Sequence, residues 1–214
     1  MESALQNVSK KKKRSTKLTT VDIVLMAILA IVNGVAMTYL AMLNQLLTAL
    51  GGPILTSITL GLYSISGVLA AYIIRKPGAA FFTLTLSGVV QIISGNPNGL
   101  IAITPAMTDG LGVELAFMMF RYKKWNWTST ALSGLFAVPI WFIIASFWFG
   151  YYKWGMGVLL VAFVIRCLSG VVLAGWLSKI IGDILVRTDI LKGFNIAKQR
   201  KKEEGSLDGT NHTA

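Results

Sequence analysis

Three full charges lie deep within apolar runs of this sequence: Asp109, Glu114 and Arg166. An ionisable side chain at membrane depth is costly, so such groups face a bundle interior or a water-filled cavity and seek partners. Asp109 and Glu114 share one run and are five residues apart, about 140° around a helix, so they cannot face one narrow groove together. At 1.5 Å per residue, Asp109 lies roughly 12 Å from the outer end of its run and Arg166 roughly 16 Å from that of its own. The similar depth predicts an ion pair between Arg166 and one carboxylate, with the other facing a ligand cavity. Which carboxylate takes which part is open at this level.

Neutral polar residues gather toward the same side of the runs. Asn33 is mid-run, Asn44 and Gln45 close the first run, Ser57 and Tyr63 lie on the second, and Gln91 and Ser94 end the third. Asn96 and Asn98 flank Pro97 between Gly95 and Gly99, where missing side chains permit close backbone approach. Aromatic residues join them, from Trp141 through Phe147, Trp148, Phe149, Tyr151 and Tyr152 to Trp154. Most fit an interfacial belt. Trp141 and Trp148 are the leading candidates to stack on a flat heteroaromatic ring. The expected substrate set is therefore Asn33, Tyr63, Gln91, Asn96, Asn98, Asp109, Glu114, Trp141 and Trp148.

Other chemistries lack parts. The one cysteine, Cys167, lies in an apolar run, and the one histidine, His212, lies in a polar tail. A metal site and a Ser/His or Cys/His pair have nothing to be built from. No Walker-type lysine motif is present, so ATP hydrolysis is not expected of this chain, nor is a cofactor. An intramembrane enzyme would have only Asp109 and Glu114 for acid–base work.

The elements that must position these residues are six apolar runs, Val21–Asn44, Ile54–Ile74, Gly78–Ser94, Leu100–Phe120, Thr128–Phe149 and Gly155–Ile181. A bilayer core of about 30 Å takes roughly 20 helical residues to cross. The expectation is an all-α polytopic membrane protein, a six-helix bundle, with a basic tail over 1–20, the membrane domain over 21–194 and a disordered tail over 195–214. With 54% hydrophobic and 14% charged residues in 214, no length remains for a soluble catalytic domain. The net charge of +11 sits in Lys10–Arg14, Arg75-Lys76, Arg121–Lys124 and Lys198–Lys202. Alternation from an inside N-terminus puts all these clusters on one side, so both termini are expected in the cytoplasm of a plasma-membrane protein. The charge then meets anionic lipid, not nucleic acid. Small residues at Ala27, Ala30 and Gly34 offer a surface on which a partner helix could dock, with packing inside the bundle as the other reading. Gly170, Ala174 and Ser178 form a second such stripe, read as internal packing.

Four motifs in order carry a resemblance. They are Ile74–Ala80, Gly95-Asn-Pro-Asn-Gly99, Asp109-Gly-Leu-Gly-Val-Glu114, and Val164–Gly170 with Leu173–Gly175. The stretch from about Val21 to Phe194 resembles the YkoE-type family, substrate-binding S components of energy-coupling factor transporters associated with thiamine and hydroxymethylpyrimidine. The resemblance implies vitamin capture at the outer face, with a transmembrane T component and two ATPases as partners. Gln91 stands where thiamine-binding relatives are expected to carry a carboxylate, and Ser57 is a second such position. Fewer carboxylates favour a neutral ligand over thiamine, whose positive charge is fixed. The expected ligand is hydroxymethylpyrimidine, with thiamine or another B vitamin such as a pyridoxine-type ring as alternatives. A purely structural subunit is the remaining rival.

Overall fold

The computed structural model describes residues 17–188 together with Phe194 and Ile196. The basic runs 10–14 and 198–202 and His212 lie outside the described residues. Those that are described form helices and turns without a strand.

Helix α1 runs Thr20–Thr59. Its start is a capping box: Thr19 N donates to Asp22 Oδ2 at 2.7 Å and Asp22 N to Thr19 Oγ1 at 3.4 Å. Inside α1 the backbone leaves helical geometry at Gly51 (φ −148°) and Gly52 (φ 60°), just before Pro53. Gly52 needs both the positive φ and the absent side chain, since a Cβ there would stand 2.8 Å from the Trp154 ring. A 3-10 segment, Leu60–Ser64, leads into α2 (Ile65–Ile74). Arg75, at φ 55°, closes α2 in the left-handed region. Buried Lys76 then pairs with Asp22, tying this turn to the start of α1.

Helix α3 (Ala79–Ile93) packs between α1 and α4 (Ile103–Met119). Helix α5 (Trp127–Trp148) lies against α4 and against a π-helical segment, Gly170–Trp176, that joins α6 (Met156–Ser169) to α7 (Leu177–Arg187). At that crossing a Cβ on Gly134 would lie 2.0 Å from Gly170 O, so α5 meets the π segment backbone to backbone. Ala174 is fully buried and Ser178 donates to Ile65 O at 3.0 Å, so the second small-residue stripe packs internally as expected.

Four stretches among the described residues are long and apolar enough to cross a membrane: Thr20–Ile74, Gly99–Met119, Trp127–Trp148 and Met156–Arg187. Ala79–Ile93 is a shorter apolar helix. Ile28, Ile31, Val32 and Tyr39 of α1 point outward, an apolar exterior suited to lipid. The stripe at Ala27, Ala30 and Gly34 does not offer the expected docking surface. Ala30 is fully buried, Ala27 half-buried, and a Cβ on Gly34 would meet Val90 Cβ at 2.6 Å and Ser87 O at 2.8 Å. Small side chains there let α1 close on α3, so the stripe is spent inside the bundle.

The packed core sits toward the end of the bundle that carries Arg75 and Lys76. Val68, Tyr72, Ile73, Val113, Phe117 and Trp125 form it, with Phe117 and Trp125 stacked at 4.8 Å. Toward the opposite end, where Gly51 and Gly52 break α1, the helices diverge around a cavity.

Candidate substrate-binding site

The cavity has a volume of about 360 Å³, within the range of small-molecule sites. Helix α1 contributes Asn44, Gln45 and Thr48, the 3-10 segment Tyr63, α4 Asp109, α5 Trp141, and α6 Arg166. Asn98 and the ring of Tyr151 close in from the connecting segments.

The depth of the site is set by close backbone contact. A Cβ on Gly61 would lie 2.2 Å from Ser169 O, and Gly61 N donates to Ser169 Oγ at 3.0 Å. This contact pins the 3-10 segment onto α6, and Ser64, three residues on, reaches α4. Its Oγ donates to Asp109 Oδ2 at 3.0 Å. Asp109 Oδ1 accepts no hydrogen bond from the described residues, and Asp109, buried as a residue at 7% exposure, is on the cavity wall. A buried acceptor with a vacant oxygen suits a ligand N–H.

Arg166 lines the same cavity but does not close an ion pair with either carboxylate. Its Nε donates to Ser57 Oγ at 3.0 Å. The guanidinium lies 4.8 Å from the Phe142 ring centre and 5.5 Å from that of Tyr151. Both described ion pairs, Lys76–Asp22 and Lys179–Asp183, lie elsewhere. The expected Arg166 pair is therefore replaced by a hydroxyl and two aromatic faces, which hold a desolvated guanidinium without consuming Asp109.

Glu114 is not part of the cavity. It accepts from Ala80 N at 2.9 Å and Phe81 N at 3.4 Å, capping α3, and from the Tyr122 hydroxyl. A carboxylate meets both the unpaired amides and the positive end of the α3 dipole there. Burial, then the Glu114 contact, raises the Tyr122 phenol above its ordinary pKa.

Of the other expected residues, Tyr63, Asn98 and Trp141 are on the cavity wall, and Asn33, Gln91, Asn96 and Trp148 are not. Asn33 donates to Ser87 Oγ at 2.9 Å and ties α1 to α3. Asn96 Nδ2 donates to Gln91 Oε1 at 3.0 Å, so these two amides satisfy each other beneath the turn. Trp148 is 51% exposed, the behaviour of a belt residue. Asn44 joins the site instead, donating to Tyr63 Oη at 3.2 Å and accepting from Thr59 Oγ1 at 2.7 Å. Trp141, Phe149 and Tyr151 form a continuous aromatic wall, with ring centres 6.3 and 5.8 Å apart. The arrangement can grip a flat, polar-edged ring: aromatic faces on one side, a vacant carboxylate oxygen, amides and a guanidinium around it.

A family model described as "ABC-type cobalt transport system, permease component" matches residues 21–140. YkoE of Bacillus subtilis (strain 168), an HMP/thiamine permease protein by name, is 35% identical over 182 residues, covering 85% of this chain and 92% of that protein. A crystal structure of an S-component of an ECF transporter superposes with a TM-score of 0.86 at 33% identity, covering 91% of this chain and 98% of that one.

Proposed function

We infer the activity from the premise that this chain belongs to the YkoE family of S components of energy-coupling factor transporters. It is the substrate-binding membrane subunit for a thiamine precursor, and we read hydroxymethylpyrimidine (HMP) as its ligand. The observation that carries the choice is that one acid, Asp109, and one base, Arg166, both line a single aromatic-walled cavity. An aminopyrimidine offers N–H donors to the Asp109 carboxylate, ring nitrogens as acceptors and a face for Trp141 or Tyr151. A balanced cavity gives a permanently cationic thiazolium no net attraction and sets Arg166 against it. Gln91, off the cavity wall, does not bear on this choice. Cobalt, named in the family description, finds one acid on the wall and no group of three metal-binding side chains among the described residues.

Six crossings account for the helices. The 55 residues of Thr20–Ile74 are more than twice what one crossing takes, and the break at Gly51-Gly52 divides them. Positive residues at the other end support a cytoplasmic placement of that end and of both termini, with the cavity opening outward. A T component and ATPases would couple release to ATP hydrolysis, this chain being non-catalytic. The exposed α1 face at Ile28, Ile31 and Val32 is a better candidate for their contact than the buried stripe.

Isothermal calorimetry on the purified chain tests the ligand. HMP should bind at least about tenfold tighter than thiamine, one decade being 1.4 kcal/mol. Equal or reversed affinities would reject the neutral-ligand reading.

A further inference from the structure

A second cavity, of about 350 Å³, opens at the basic end of the bundle. Its charged lining is Arg75 at the end of α2, Lys123 in the α4–α5 connection, and Lys179, Asp183 and Arg187 on α7. The one acid among the described lining residues is already matched. Asp183 takes Lys179 Nζ at 2.6 Å and the Tyr72 hydroxyl at 2.6 Å. Among the described lining residues, Arg75, Lys123 and Arg187 are further cations from three separate elements.

The cavity is built, not an accident of loose lysines. Arg75 Nε donates to Tyr72 O at 3.1 Å, and its guanidinium lies 5.3 Å from the Tyr72 ring and 5.4 Å from the Trp125 ring. Tyr72 and Trp125 belong to the packed core, at 3% and 7% exposure, and they fix the wall on which that guanidinium lies. Lys123 and Arg187 are exposed and stand at the mouth. Exposed Trp127, beside Lys179, fits the level of the membrane interface. Cationic side chains converging at that level, with an aromatic wall and no uncompensated acid among the described lining residues, match the chemistry of a phosphate-bearing anion.

We propose that the cavity between α2, the α4–α5 connection and α7 binds a phosphate group, supplied by the headgroup of an anionic phospholipid. The vitamin cavity lies at the other end, and the inference rests on the membrane placement of the family, not on the identity of its ligand. A lipid held there would brace α7 against α2.

The test uses the purified full chain in detergent, with dioleoylphosphatidylglycerol, dioleoylphosphatidylcholine or inorganic phosphate as the added probe. Retained lipid is read by native mass spectrometry and stability by thermal melting. The chain should retain and be stabilised by the glycerol lipid in preference to the choline lipid. Lys123→Ala with Arg187→Ala should weaken retention by roughly thirtyfold, about fivefold for each cation near a headgroup. Lys123→Arg with Arg187→Lys should keep it. HMP binding by each variant, unchanged from wild type, shows that the fold survives and separates this result from a failure of the vitamin reading. Saturable binding of inorganic phosphate, lost in the alanine variant, with no preference for the glycerol lipid would support the phosphate site and assign it to a soluble anion. Equal lipid retention by wild type and the alanine variant would overturn the proposal, as would retention of neither probe. Loss of T-component co-purification with unchanged lipid retention would also overturn it, marking the cations as a protein contact.

Discussion

Asp109→Ala should weaken HMP binding by roughly 10- to 150-fold in calorimetry, the loss of a hydrogen bond to a charged acceptor being about 1.5–3 kcal/mol. Its Oδ2 is held by Ser64 and its other oxygen is left to the cavity, so a ligand amine has one defined place to go. Asp109→Asn keeps the shape and the Ser64 contact but removes the charge, and should fall between wild type and alanine. Ser64→Ala should cost less than either, since it only frees the carboxylate to turn. If Asp109→Ala binds as wild type does, the carboxylate is not a ligand contact.

Glu114→Ala should do the opposite. Three donors lose their acceptor: Ala80 N, Phe81 N and the Tyr122 hydroxyl. At about 1–3 kcal/mol for a buried donor left unmet, less where water reaches the helix start, the loss is about 3–5 kcal/mol. For a chain of this size that is a fall of about 10 °C in thermal midpoint. HMP affinity of the folded fraction should stay within about twofold, because the contact lies outside the cavity. A variant that melts normally but binds poorly would return Glu114 to the site. Together the two substitutions separate a carboxylate that meets ligand from one that caps a helix.

That separation marks where sequence reading ends. The runs Leu100–Phe120 and Thr128–Phe149 anticipated α4 and α5 to within a few residues, because apolar length is set by membrane thickness and needs no tertiary knowledge. The break at Gly51-Gly52-Pro53 falls between the runs that end at Asn44 and begin at Ile54, where a glycine pair followed by proline favours a turn, although α1 stays helical past Asn44 up to that break. Side chains on one helix face are harder to separate by depth. Asn33 and Asn44 are eleven residues apart, about three full turns, so they share a face of α1. Only Asn44 reaches the cavity, because Asn33 lies about 16 Å further along the helix axis. Trp141 and Trp148 likewise share a face of α5, and the second falls beyond the cavity in the exposed rim.

Partner choice was the other obstacle. Asp109, Glu114 and Arg166 announced themselves as buried charges, yet charge alone favoured pairing them with each other. The structure gives each a neutral partner: a serine hydroxyl for Asp109, backbone amides for Glu114, a serine and two rings for Arg166. No spacing rule reveals Ser57 or Ser64 as partners, since the segment that carries them is brought onto α6 by the close backbone contact at Gly61. The Ala30-xxx-Gly34 step shows the same limit. It signals close helix approach but does not say whether the approaching helix belongs to this chain.

The most direct measurement is a structure of the full chain with HMP bound. The pyrimidine should lie against the wall of Trp141, Phe149 and Tyr151, its amino nitrogen within about 3.2 Å of an Asp109 carboxylate oxygen, with Arg166 still on Ser57. A ring seated away from that wall, with Asp109 bonded to Ser64 alone, would contradict the account.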